Sequence, residues 1–235
     1  MIYFPHIPKA GGTSLKSYFL HAYSASSCIK VWDTKFGADF LPDEFCNLKA
    51  DELKGIPAVI GHLPVKDFLS NSAANRMMSH GEVQVITSVR DPIDRLLSLY
   101  NYVLVNEHHP NHNAHQSFDP KEFVFSQQEN FQFKFLELRR GMTVDDLFAC
   151  ISIFPMEKSL TLFHSFFKNV LSQDVKLQEI QNDTASINLK GKDIIKRDFF
   201  TSSELKFLYS KHELDYEIHQ KSLALFNSKS REIKR

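Results

Sequence analysis

The residues best suited to chemistry lie in three short segments. Pro8-Lys-Ala-Gly-Gly-Thr-Ser14 joins two adjacent glycines to a lysine and two hydroxyls. Without a Cβ, Gly11 and Gly12 let the backbone curl so that several N–H groups face one guest. A helix starting just beyond them adds free N–H groups and a favourable dipole. Thr13 and Ser14 add hydroxyls and Lys9 adds a mobile positive charge, so the natural guest is a phosphate or a sulfate. A plain strand–turn–helix junction would use the same glycines. The second segment, Ser88-Val-Arg-Asp-Pro-Ile-Asp-Arg-Leu-Leu-Ser98, puts Arg90 behind an apolar run and Ser98 two turns into the next helix. A guanidinium fork and a hydroxyl together suit a second phosphate. Arg95 in the same segment is read as an ion-pair former. The third segment, Gly61-His62, ends another apolar run with an imidazole, the side chain that changes protonation near neutrality. His6 is a rival base, nearer the glycines and read mainly as a buttress of the loop.

Two anion sites are informative. The nucleotide triphosphatase pattern G-x-x-x-x-G-K-[ST] places its lysine after the glycines. Here Lys9 precedes them, and with Gly12 in the second glycine position Thr13 stands where the lysine should be. Kinase or nucleotidase chemistry is therefore the weaker alternative, and a non-catalytic nucleotide-binding module is a third. No G-x-G-x-x-G follows a strand, which argues against a dinucleotide oxidoreductase. A nucleotide with phosphates on both the 5′ and the 3′ side of its ribose would use both sites.

The segments resemble those of sulfotransferases that use 3′-phosphoadenosine 5′-phosphosulfate (PAPS). Phe4-Pro-His-Ile-Pro-Lys-Ala-Gly-Gly-Thr-Ser-Leu15 is similar to their 5′-phosphosulfate loop, and Val89-Arg-Asp-Pro-Ile-Asp-Arg-Leu-Leu-Ser-Leu-Tyr-Asn-Tyr102 to their 3′-phosphate motif. The resemblance is strongest to the carbohydrate branch, of the heparan-sulfate 2-O type, and its bacterial relatives. It implies that Lys9 contacts the sulfate and the bridging oxygen, and that Gly11, Gly12, Thr13 and Ser14 hold the 5′-phosphate. It assigns the 3′-phosphate to Arg90 and Ser98 and the catalytic base to His62. PAPS is the implied donor, adenosine 3′,5′-bisphosphate the product and a carbohydrate hydroxyl the acceptor. Asn130 to Leu136 and the surroundings of Asp215-Tyr216 resemble later, weaker family segments. Ala10 departs from the family, many members of which have Thr or Ser there. The resemblance is firm over residues 2–105.

These segments need elements to position them. Met1 to His6 reads as a buried strand, followed by a helix over 13–25 with Leu15, Tyr18, Phe19, Ala22 and Tyr23 on one face. Val31 to Thr34 and Ile56 to Gly61 read as strands, and 66–78 as a helix. Glu82 to Val89, rich in β-branched residues, is the clearest strand. Pro92 fits the first turn of a helix over 93–105, with Asp91 or its neighbour as the cap. Helices are expected over 120–140, from Thr143 to Cys150, over 159–169 and over 202–226, with a strand at Ile151 to Phe154. The end, residues 227–235, is expected to fray. Alternating strands and helices imply an α/β, P-loop-containing fold: one domain over 1–235, with a mostly parallel central sheet and helices on both faces. Ligands of such sheets bind beyond the carboxyl ends of the strands, where all three segments fall.

Composition narrows the rest. The 235 residues carry 28 Lys plus Arg against 28 Asp plus Glu, a balance unlike that of a nucleic-acid binder. Three scattered cysteines make neither a disulfide framework nor a zinc site. No apolar run approaches the roughly 20 residues of a spanning helix, and the first residues do not read as a signal peptide. The expectation is a cytoplasmic protein with no integral membrane segment. The 21 Phe imply an aromatic-rich core. His108, His109, His112 and His115 are read as a solvated or acceptor-facing loop rather than a metal site, having no matching carboxylate except Glu107. Lys190, Lys192, Lys196 and Arg197 form a basic run read as a solvated face, with binding of an acidic sugar polymer as the alternative.

Overall fold

A computed structural model describes residues 1–32, 38–106, 112, 119–156 and 194–232, with 13, 14 and 228–232 described by backbone alone. Five strands are built from the apolar runs: β1 (Ile2–Pro5), β2 (Ile29–Val31), β3 (Ala58–Gly61), β4 (Gln84–Val89) and β5 (Ile151–Pro155). They form one sheet in the order β2-β3-β1-β4-β5, and every pairing is parallel. β1 pairs with β3 from Ile2 opposite Ala58 to Pro5 opposite Gly61, and with β4 through Tyr3 opposite Val85. The carboxyl ends of β3, β1 and β4 therefore lie side by side at one edge of the sheet. The α/β fold with a parallel central sheet is as expected.

Alternate residues of a strand face opposite sides, and both sides are apolar here. Ile2, Phe4, Ala58, Ile60 and Ile86 pack under α1 (Gly12–Tyr23) through Leu15, Tyr18 and Phe19. Tyr3, Val59 and Val85 face the other layer, which holds α2 (Pro42–Cys46), α3 (Ala50–Leu53), α4 (Val65–Ser70) and α5 (Ser72–Ser79). Tyr3 stacks on Phe68 at 3.9 Å between ring centres, and its hydroxyl donates to the Leu63 carbonyl. A third cluster joins α6 (Pro92–Val105) to α7 (Pro120–Ser126), Phe200 and Leu208. The remaining helices are α8 (Phe131–Leu136), α9 (Val144–Cys150), α10 (Ser202–Lys211) and α11 (Glu213–Glu232). A 3-10 turn, Arg197–Phe199, precedes α10.

Three expected helices are each two. The one over 66–78 breaks at Asn71, whose Oδ1 accepts from the N–H groups of Ala73 and Ala74 while Nδ2 donates to the Phe45 and Leu48 carbonyls. The one over 120–140 breaks before Asn130, which takes a left-handed φ of 50°. The one over 202–226 breaks at His212, and its second half runs to Glu232. β2 begins earlier than expected, at Ile29. His112 is buried with Nδ1 2.9 Å from the Val103 carbonyl, so it is not part of a solvated loop. The expected helix over 159–169, His108, His109, His115, Lys190 and Lys192 lie outside the described residues. Among those described, no helix is long and apolar enough to cross a membrane and no group of side chains could hold a metal ion.

Candidate functional site

The loop after β1 is fixed by what it touches. Lys9 and Gly11 both take left-handed backbone angles, φ 66° and 82°. For a lysine that conformation is uncommon and stores strain of about 1–3 kcal/mol. Gly12 is required by contact: a Cβ there would lie 1.8 Å from the His6 ring. His6 is thus the floor of the loop. From the next strand, the Ser88 hydroxyl donates to the Ala10 carbonyl at 2.6 Å and the Thr87 hydroxyl to the Pro5 carbonyl at 2.8 Å. Ala10 itself is fully buried, so its methyl serves the core. Helix α1 opens at Gly11 with no side-chain cap and no acidic residue in its first turn. A glycine at the cap position offers no side-chain acceptor to the first N–H groups, and no acidic residue of the first turn offsets the positive dipole end.

Positive charge converges on this turn. Arg90 leaves the end of β4 and its Nη1 donates to the Lys9 carbonyl at 3.4 Å. Lys9 Nζ lies 4.0 Å from the centre of the Tyr102 ring. Burial, with the Arg90 guanidinium adding to it, pushes the Lys9 ammonium down to about 8. Two cations held together at a helix start favour an anionic ligand. Ser98 stands two turns along α6, half-buried. Thr13 and Ser14 occupy the first turn of α1.

His62 follows β3, its N–H donating to the Val31 carbonyl at 2.9 Å. Gly61 permits that approach, since a Cβ there would meet the Val31 oxygen at 1.7 Å. The His62 ring lies 4.8 Å from His6 and 4.6 Å, edge-on, from Trp32. The two histidines differ in access: His62 is half-buried, while His6 is 7 % exposed. Burial first, then the neighbouring His62, Lys16 and Lys9, hold His6 well below the usual imidazole range. Lys16, over the Trp32 ring at 5.0 Å, is also lowered by burial and by Lys30.

Lys9, Gly11, Gly12, His62 and Arg90, expected from the sequence, thus meet at one edge of the sheet. Arg95 does not form the expected ion pair: it is 3 % exposed and its guanidinium lies over the Phe131 ring at 4.6 Å. Arg197, read as part of a solvated face, instead reaches Asp91 at 2.8 Å and Asp94 at 2.6 Å at the start of α6. Trp32 and Lys16 were not singled out by sequence, and Gln132 was covered only as part of the segment Asn130 to Leu136, with no role of its own. Gln132 sits beside Arg90 with both ends of its amide on the Arg90 backbone. A polar residue between two Phe of the run 131–135 was the signal available for it.

Among curated proteins, no sequence matches this chain. In fold, the chain is similar to mouse sulfotransferase SULT7A1, solved in complex with PAP. The TM-score is 0.52 at 14% identity, over 97% of this chain and 88% of that one. At the level of sequence, the model of the sulfotransferase family matches residues 1–220, a span that takes in the glycine turn, the His62 strand end, Arg90 and Gln132. With a match of that extent, the chain belongs to the sulfotransferase family.

Proposed function

We propose that the protein transfers a sulfuryl group from PAPS to a hydroxyl of a carbohydrate acceptor. The observation that carries this reading is the juxtaposition of two cation-bearing loops, Lys9 to Gly12 and Arg90, with Arg90 Nη1 3.4 Å from the Lys9 carbonyl. Such a pair suits a nucleotide phosphorylated on both sides of its ribose. The complex of the mouse sulfotransferase with PAP is consistent with it.

In this reading the uncapped start of α1, with Gly11, Gly12, Thr13 and Ser14, holds the 5′-phosphate. Arg90 and Ser98 hold the 3′-phosphate. His62 takes the proton of the acceptor hydroxyl as its oxygen bonds to sulfur. The bond from sulfur to the bridging oxygen breaks, and adenosine 3′,5′-bisphosphate leaves with the electron pair. Lys9 and the loop N–H groups stabilise the charge that gathers on that oxygen. His62 suits the role of base better than His6, which is buried and pressed against Gly12.

Incubation with sulfur-labelled PAPS and a panel of carbohydrates tests the reading. Labelled sulfate should appear on a sugar, and His62→Ala should slow turnover by about 100-fold or more while nucleotide affinity holds. Full turnover by His62→Ala would remove that residue from the role. Hydrolysis of ATP with Mg²⁺ and no sulfate transfer would replace the reading by the kinase or nucleotidase alternative.

A further inference from the structure

Arg90 stands one residue beyond the end of β4, past the last paired residues of β4 and β5, Val89 and Pro155. A side chain takes over. The Arg90 N–H donates to Gln132 Oε1 at 3.0 Å, and Gln132 Nε2 donates to the Arg90 carbonyl at 2.8 Å. The amide thus grips the peptide groups on both sides of one Cα, as a neighbouring strand would. Gln132 is fully buried. Placing a primary amide there is costly unless every bond is made, so the grip is well defined.

Gln132 is itself held from behind. The N–H groups of Gln132 and Phe133 donate to the two oxygens of Asp215, at 3.1 and 2.8 Å. Asp215, on α11, is fully buried. In return Asn130 Oδ1 accepts from the N–H groups of Leu214 and Asp215 at 3.0 and 3.4 Å. The starts of α8 and α11 therefore lock each other. Burial raises the Asp215 carboxyl above its ordinary value, and the N–H groups of Gln132 and Phe133 and the Arg95 guanidinium over Phe131 only partly oppose it.

We propose that Gln132 is a positioning residue that aims the Arg90 guanidinium, with Asp215 holding Gln132 in register, and that this clamp sets the preference for nucleotides bearing a 3′-phosphate. It rests on the reading that Arg90 holds that phosphate. Gln132 acts through the Arg90 backbone: with the Cα pinned, the fork points at the glycine turn, where Nη1 meets the Lys9 carbonyl. Loss of the grip lets the guanidinium shift, and a displacement of about 1 Å is enough to weaken an anion contact severely.

The test compares affinities for adenosine 3′,5′-bisphosphate and adenosine 5′-monophosphate by calorimetry on the full chain. Gln132→Met keeps length and burial and removes both bonds. It should lower the preference for the bisphosphate by about tenfold, leave monophosphate affinity within about twofold, and add nothing in the Arg90→Ala background. Arg90→Ala should erase the preference. If Arg90→Ala keeps the preference, the assignment of the 3′-phosphate to Arg90 falls. If Arg90→Ala erases it and Gln132→Met keeps it, the clamp proposal alone falls. Equal weakening towards both nucleotides would also overturn the clamp, as a general structural role would give that result. Should Gln132→Met fail to fold, Gln132→Glu and Asp215→Asn, which keep volume, carry the same comparison. Each should show a smaller selective loss of about threefold, and an unchanged preference in both would overturn the clamp.

Discussion

Lys9 carries the most contradictory demands of any residue in the site. Its backbone is left-handed, its ammonium is buried against Tyr102, and a guanidinium lies beside it. The Tyr102 ring face favours the charge, but burial first and Arg90 second outweigh it, and the ammonium is pushed down to about 8. A lowered lysine is charged below that value and neutral above it. If its charge serves the donor, kcat/KM, which reports the free protein, should fall as pH rises through about 8. Lys9→Arg keeps the charge to far higher pH and should move that falling limb above about pH 10. A limb that stays in place in Lys9→Arg would show that another group titrates there. The residue types and spacing of Lys9, Gly11, Gly12 and Arg90 were legible in the sequence because the chemistry is local. The pressing of His6 against Gly12 was half legible, as a buttress. That a single hydrogen at Gly12 is what leaves room for the ring needed coordinates.

Elements were legible where apolar periodicity runs unbroken. The β-branched run at 83–89 and the stripe Ile93, Leu96, Leu97, Tyr100 gave β4 and α6 close to their observed bounds. The cap of α6 was legible as Asp91 or its neighbour, and it is Asp91 that accepts from the N–H groups of Ile93 and Asp94. The breaks at Asn71, Asn130 and His212 were not legible. Each is a polar residue whose partners lie on another element, so periodicity passes over it. Asn71 shows the physics best. Fully buried, it caps α5 and closes the loop after α2 by donating to Phe45 and Leu48. Asn71→Ala removes the cap and the bonds donated to the Phe45 and Leu48 carbonyls, and should cost about 2–4 kcal/mol in urea unfolding. Affinity for the bisphosphate should hold, because the residue is remote from the glycine turn. A loss below about 0.5 kcal/mol would mean that water replaces these bonds.

At the scale of the whole molecule, strand order decides which segments can cooperate. The sequence places Lys9, His62 and Arg90 each after an apolar run, yet runs alone do not say which strands are neighbours. The order β2-β3-β1-β4-β5 makes β1 the centre, with β3 and β4 at its sides. The loop after the first strand therefore meets both the histidine and the arginine. The clamp around Gln132 was the least legible part, because it joins residues 90, 132 and 215 across the chain. Family membership gives the class of reaction; the paired cationic loops give the proposed donor. Calorimetric titration of the unmodified protein with adenosine 3′,5′-bisphosphate, set beside ATP with Mg²⁺, tests that donor most directly. Tight, saturable binding of the bisphosphate without any metal, and far weaker binding of ATP, is expected. Strong binding of ATP with Mg²⁺ and indifference to the bisphosphate would contradict it.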